Sequence, residues 1–173
     1  MADAPQHLVR KDARDSGHAV ELGVRRGLMT ALALLAALAL LNVLGQRPVT
    51  SRAGGDEALL EVHAPTTLRG GVYYQGRFTF TAAEGIDDAV LVLDPGWLES
   101  MHVNTIEPAP VEERSRDGRL ALSFGGVAAG EEATAYLEFQ VNPTNVGRRS
   151  QAVELRDGDR LLARVDRTVT VLP

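Results

Sequence analysis

The chain has 173 residues, no cysteine, one lysine beside seventeen arginines, and a formal net charge of -5. The missing cysteines exclude thiol nucleophiles, thiolate metal sites, disulfide staples and a lipid-modified cysteine. Residues 1–26 carry +1 and residues 46–173 carry -6, so the larger part offers phosphate no basic stripe, and no nucleic-acid partner is expected.

Residues 1–26 mix five basic with four acidic side chains and read as a short disordered tail. The stretch 27–46, "GLMTALALLAALALLNVLGQ", then runs between Arg26 and Arg47 without a charge. Twenty residues at roughly 1.5 Å each make a helix of about 30 Å, the hydrocarbon thickness of a bilayer. A soluble core helix would carry a polar stripe every three or four residues, and between Leu28 and Leu44 the clearly polar side chains are Thr30 and Asn42. A cleaved signal has a shorter leader and an apolar core of about 7–15 residues ending in small residues. Here the leader is 26 residues, and the candidate cleavage sites are Val43-Leu44-Gly45 and Ser51-Arg52-Ala53. The expected element is therefore an uncleaved transmembrane helix over 27–46, with the lipid bilayer as its first partner and secretion after cleavage as the alternative. Five basic residues lie within about twenty positions before it (Arg10, Lys11, Arg14, Arg25, Arg26) and two after it (Arg47, Arg52), which keeps the amino terminus in the cytoplasm and places the rest outside. Ala33 and Ala37 form a small-xxx-small pair that would let a second helix approach.

Residues 47–56, "RPVTSRAGGD", have the composition of a linker. Beyond it, 57–63, 77–82, 88–93, 101–106, 119–124, 134–141, 151–156 and 160–172 alternate apolar with polar residues or are rich in β-branched ones. In "ATAYLEFQV" the residues Ala133, Ala135, Leu137, Phe139 and Val141 fall on one face. Asp157-Gly158 has the composition of a type I′ hairpin, with positive φ at both residues, and Asp117-Gly118 and Gly130 mark similar turns. Pro108 and Pro110 cannot donate ladder hydrogen bonds, so "IEPAPVEE" is an edge or a crossover. The expectation for 57–173 is an antiparallel two-sheet sandwich of about seven or eight strands.

The succession of "DPGW", "NTIEPAP", a strand after "DG", and "VAAGEEATAYLEFQV" resembles the immunoglobulin-like modules repeated on bacterial cell-surface proteins. In those modules a Gly-Glu turn precedes a long apolar strand, and Gly130 and Glu131 match it. The resemblance covers residues 57–173 and implies a non-catalytic binding or spacer module with no active-site residues to carry over. A single copy beside a membrane departs from those repeats.

Catalysis needs convergent groups, and His63 and His102 are isolated, with no HExxH, GxSxG or phosphate-loop spacing. No enzyme, cofactor or metal is expected. The alternative of a ligand-binding surface module, for glycan or calcium, rests on loop carboxylates such as Asp157 and Asp159. Trp97 is either core or a contact at the sandwich rim. The loop 142–150, "NPTNVGRRS", concentrates positive charge on an acidic domain. Arg148 and Arg149, with Asn145 and Trp97, are the expected contacts for another membrane or envelope protein.

Overall fold

The computed structural model describes the backbone of residues 11–41 and 45–173, and side chains from Val20 onward save 42–44. It divides into a helical unit and a β unit, Gly45–Pro173.

The helix α1 spans Lys11–Leu40. It therefore starts well before the expected 27: residues 11–26, read as a disordered tail, continue it. Alanine, leucine, glutamate and arginine are good helix formers, and no proline interrupts them. Among the described residues, the stretch long and apolar enough to cross a membrane is Val20–Leu40, with mean hydropathy 1.5. It overlaps the expected 27–46 over residues 27–40, and residues 42–44 of that range lie outside the described residues. Asn42 and most of the Val43-Leu44-Gly45 cleavage site fall outside the described residues, while Ala33 and Ala37 lie on the exposed helix surface.

The expected linker is instead an edge strand: β1 (Pro48–Gly54) pairs over its whole length with β2 (Ala58–Pro65), from Pro48 opposite Pro65 to Gly54 opposite Leu59. Its Val-Thr-Ser-Arg stretch satisfies its backbone against a hydrophobic neighbour, and Pro48 sits at the strand's first residue, where a missing donor is tolerated. The first sheet has the order β1-β2-β4-β9-β6, with β4 (Tyr73–Ala82), β9 (Glu132–Val141) and β6 (Met101–Glu107), all antiparallel. The second has the order β12-β11-β5-β8-β7, with β5 (Ala89–Leu93), β7 (Glu112–Arg116), β8 (Arg119–Ser123), β11 (Val153–Asp157) and β12 (Arg160–Val165). A small third sheet joins β10 (Gly147–Ser150), β13 (Thr168–Leu172) and β3 (Thr67–Arg69).

Thirteen strands among the described residues exceed the expected seven or eight, because β1, β3, β7 and β10 are short, exposed or charged and carry no apolar alternation. The β3–β13 pair is parallel, so the domain is not antiparallel throughout. The run 160–172 is two strands in different sheets, broken at Asp166 and Arg167. At the turns, Asp117 and Gly118 both take positive φ (50° and 73°), whereas only Gly158 does so at the β11–β12 hairpin.

Between the sheets, Phe78 and Phe80 of β4, Leu137 and Phe139 of β9, Leu91 and Leu93 of β5, Leu122 of β8 and Leu155 of β11 are fully buried. The inward face of β9 is the one the alternation marked. In β5 all five residues are buried: Ala89, Leu91 and Leu93 face the core, while Val90 and Val92 form a separate cluster with Ala121.

Candidate interaction surface

The expected contact residues separate in three dimensions. Trp97 ends a 3₁₀ turn, Pro95–Trp97, and is completely buried. Its indole Nε1 donates to the Gln151 carbonyl at 3.0 Å, and its ring meets Phe78 edge-on at 5.1 Å and Phe139 at 5.3 Å. It is core and offers nothing to a partner. Asn145 is buried as well: its Nδ2 donates to the Ser100 carbonyl at 3.2 Å, and its backbone N–H closes a turn on Asn142. It shapes the loop from within.

The two arginines belong to a strand, and strand alternation separates them. Arg149 stands opposite the buried Val169, and Arg148 opposite Thr170. Arg149 is mostly covered, with Nε 3.4 Å from Glu99, while Arg148 is exposed. Arg148 is thus the one of the four free to meet a partner.

Beneath Trp97 lies a polar knot that sequence reading missed. Gln151 is fully buried and donates through Nε2 to the Tyr74 hydroxyl at 3.2 Å; that hydroxyl donates to the Met101 sulfur at 3.3 Å. Arg167, at the break between β12 and β13, sends Nη2 to the carbonyls of Ala64 and Pro65 at 2.8 and 3.0 Å. Its guanidinium lies 5.3 Å over the Trp97 ring, a cation–π contact strengthened by dehydration. Burial pulls its pKa down to about 10 against the opposing influence of Tyr74, and burial pushes the Tyr74 phenol upward. These groups staple the end of β2 to the core.

The outer face of the second sheet is a lattice of charge. Glu154 is 5% exposed; its Oε1 accepts from Nη1 of Arg119 at 2.7 Å and Nη1 of Arg164 at 2.6 Å, and its Oε2 from Nε of Arg156 at 2.8 Å. Burial raises its pKa, but the arginine hydrogen bonds overcome this and hold it at about 2. Asp94 stands 3.7 Å from Arg119 and 3.8 Å from Arg164. Val92 lies directly beside Glu154 in the sheet, and Ala121 beside Val92, so the arginine stems roof the small apolar cluster. A shallow hollow of about 530 Å³ adjoins it, floored by Val90 and Ala121 and walled by Arg114, Arg116, Asp88 and Asp159.

The carboxylates weighed for calcium are otherwise engaged. Asp157 Oδ1 accepts the backbone N–H groups of Asp87 and Asp88, both at 3.0 Å, and Oδ2 faces Arg160 at 3.3 Å. The backbone hydrogen bond from Asp88 leads in lowering its pKa. Asp159 pairs with Arg116 at 2.8 Å. Among the described residues no three histidine or acidic side chains are grouped to hold a metal ion.

The first sheet turns a broad polar face outward. Tyr73 is 64% exposed, and Tyr136 and Leu59 are also open. His63 contacts the Thr50 hydroxyl at 2.8 Å, and Glu61 joins Arg52 at 2.6 Å and Arg77 at 3.8 Å. The two large sheets end on one side in β6 and β7, joined by the crossover 108–111. There a cleft of about 380 Å³ opens between Val103 and Ile106 of β6, Ala109 and Pro110 of the crossover, and Leu120 of β8.

No protein-family model and no curated protein matches the chain. Among solved structures it is similar to CaCohA2 from Clostridium acetobutylicum, at 13% identity and TM-score 0.44, covering 67% of this chain and 91% of that one. It is similar to a non-cellulosomal cohesin from the archaeon Archaeoglobus fulgidus, at 14% identity and TM-score 0.41, covering 72% and 91%. A third is the chitin-binding domain of a chitinase from Pyrococcus furiosus, at 13% identity and TM-score 0.38, covering 67% and 100%. Likeness at this level assigns neither ligand nor partner.

Proposed function

We propose that the chain is a single-pass membrane protein whose amino terminus stays in the cytoplasm and whose β unit works outside the membrane as a non-catalytic interaction module for another envelope protein. The observation that carries the reading is the length and apolar composition of α1. Val20–Leu40 has a mean hydropathy of 1.5 over a length that can cross a bilayer, and it carries Leu28, Met29, Leu32, Leu34, Leu35 and Leu38 around its surface. A helix of that length and apolarity matches the hydrocarbon thickness of a bilayer. The basic excess before the uncharged run that follows Arg26 favours an inside amino terminus. The Ser51-Arg52-Ala53 site lies within β1, so cleavage there would cut a paired strand, which supports retention of the anchor. On the β unit, the charged side chains of the second sheet are largely committed to one another, an arrangement suited to a stable scaffold.

Membrane fractionation tests this. The full-length chain should resist alkaline extraction, keep its intact mass, and in spheroplasts lose a carboxy-terminal tag to protease while keeping an amino-terminal one. It should also co-purify in mild detergent with a membrane partner at fixed ratio. Release by alkaline buffer, or a new amino terminus near residue 46, would overturn the anchor; recovery as a lone species would overturn the interaction role.

A further inference from the structure

We infer that the cleft between β6 and β7 is a docking site for an extended peptide segment of a partner protein, one presenting apolar side chains and a basic residue on the same face. This rests on the interaction-module reading and names the site and the chemistry of its occupant. On the opposite side of the sandwich β12 packs against β1 and β2, and Arg160 pairs with Glu57 at 2.7 Å. The β6/β7 side has no such closure: each is the last strand of its sheet.

The two edges differ. β6 carries a bulge between Val103 and Thr105, which shifts its phase so that Ile106 turns toward the core while its outer edge is interrupted. β7 pairs with β8 over five residues without irregularity, from Glu112 opposite Ser123 to Arg116 opposite Arg119. Its other edge is a regular row of unpaired backbone groups, the template that strand addition uses.

The charge selects the occupant. Glu113 stands opposite the fully buried Leu122, and directly paired residues share a face, so this exposed carboxylate lies on the core-facing side of an edge strand, at the mouth of a cleft that Asn104 and Thr105 line beside its apolar residues. It is the one charged residue of the lining. Of the three glutamates flanking the crossover, Glu112 is paired with Arg114 at 3.3 Å, whereas Glu107 and Glu113 have no cation within 4.0 Å among the described residues. An inward charge on an edge also guards against self-pairing; a strand bringing arginine or lysine to that position is admitted where a second copy, bringing glutamate, is refused.

The probe is a capped peptide with valine, arginine and valine on one face and threonines on the other, together with its counterpart bearing glutamate for arginine. Each, fluorescently labelled, is titrated into the full-length chain in detergent micelles and read by anisotropy. The arginine peptide should bind saturably and the glutamate peptide at least tenfold more weakly. Glu113→Lys should invert that order, and Ala109→Trp, which fills the cleft from an exposed position, should abolish binding at an unchanged melting midpoint. Equal binding of the two peptides, binding of neither, or indifference to both substitutions would overturn the assignment. So would a Glu113→Val chain that dimerises yet takes up no arginine peptide, since the carboxylate would then be a guard alone. Because the titration requires neither insertion nor orientation in a bilayer, its failure and failure of the anchor are read separately.

Discussion

Glu154→Gln tests how far the outer face of the second sheet depends on one carboxylate. Three arginines converge on it at 2.6 to 2.8 Å, and the glutamine amide can neither neutralise them nor accept at both ends. A carboxyl held at about 2 instead of 4.5 corresponds to about 3 kcal/mol at neutral pH, in line with the roughly 3–5 kcal/mol lost when one partner of a buried ion pair is removed. Trp97 is the single tryptophan and is buried in the β unit, so its emission follows unfolding of that unit in the intact chain. In urea the midpoint should fall by roughly 1–2 M. The pH dependence has a fixed sign. Between about 2 and 4.5 the unfolded chain holds the extra proton at Glu154, so wild-type stability declines as pH falls through that window. The gap between variant and wild type should be full at pH 7 and should close toward pH 2. Glu61→Gln, which breaks a pair whose Arg52 is 65% exposed, should cost under about 1 kcal/mol. Equal midpoints for Glu154→Gln and wild type at pH 7, or a gap that does not change with pH, would refute the reasoning.

Other outcomes are as specific. Arg167→Ala removes the clamp on Ala64 and Pro65 and leaves a void over Trp97; it should cost about 3 kcal/mol and shift the tryptophan emission to longer wavelength. In Gly96→Ala the new methyl overlaps the Ser150 carbonyl oxygen, a backbone atom that cannot step aside; about 2–3 kcal/mol is expected in the same urea assay. Arg148→Glu on the exposed face of β10 should change stability by less than about 0.5 kcal/mol, whereas Arg149→Glu sets like charges beside Glu99 and should lower the melting midpoint measurably. If both variants melt alike, the alternation assigned to β10 is wrong.

Features that one residue and its near neighbours decide could be read from the chain itself. The uncharged run after Arg26 marked a helix long and apolar enough for a bilayer, because hydropathy is a sum over side chains. Alternation in "ATAYLEFQV" fixed the buried face of β9, because a strand has a period of two. Local chemistry also placed a turn at Asp117-Gly118 and an edge or crossover at the two prolines. What tertiary structure alone decided depends on partners distant in sequence. β1 has the composition of a linker and becomes a strand because β2 offers an edge. The run 160–172 breaks at Arg167 because that guanidinium finds carbonyls about a hundred residues away and the face of Trp97, and no local period announces such a contact. Arg148 and Arg149 look equivalent side by side; pairing with β13 sends one to solvent and the other toward Glu99. The cleft exists only because two sheets end on the same side, so its apolar lining is gathered from β6, the crossover and β8, none of which marks it alone.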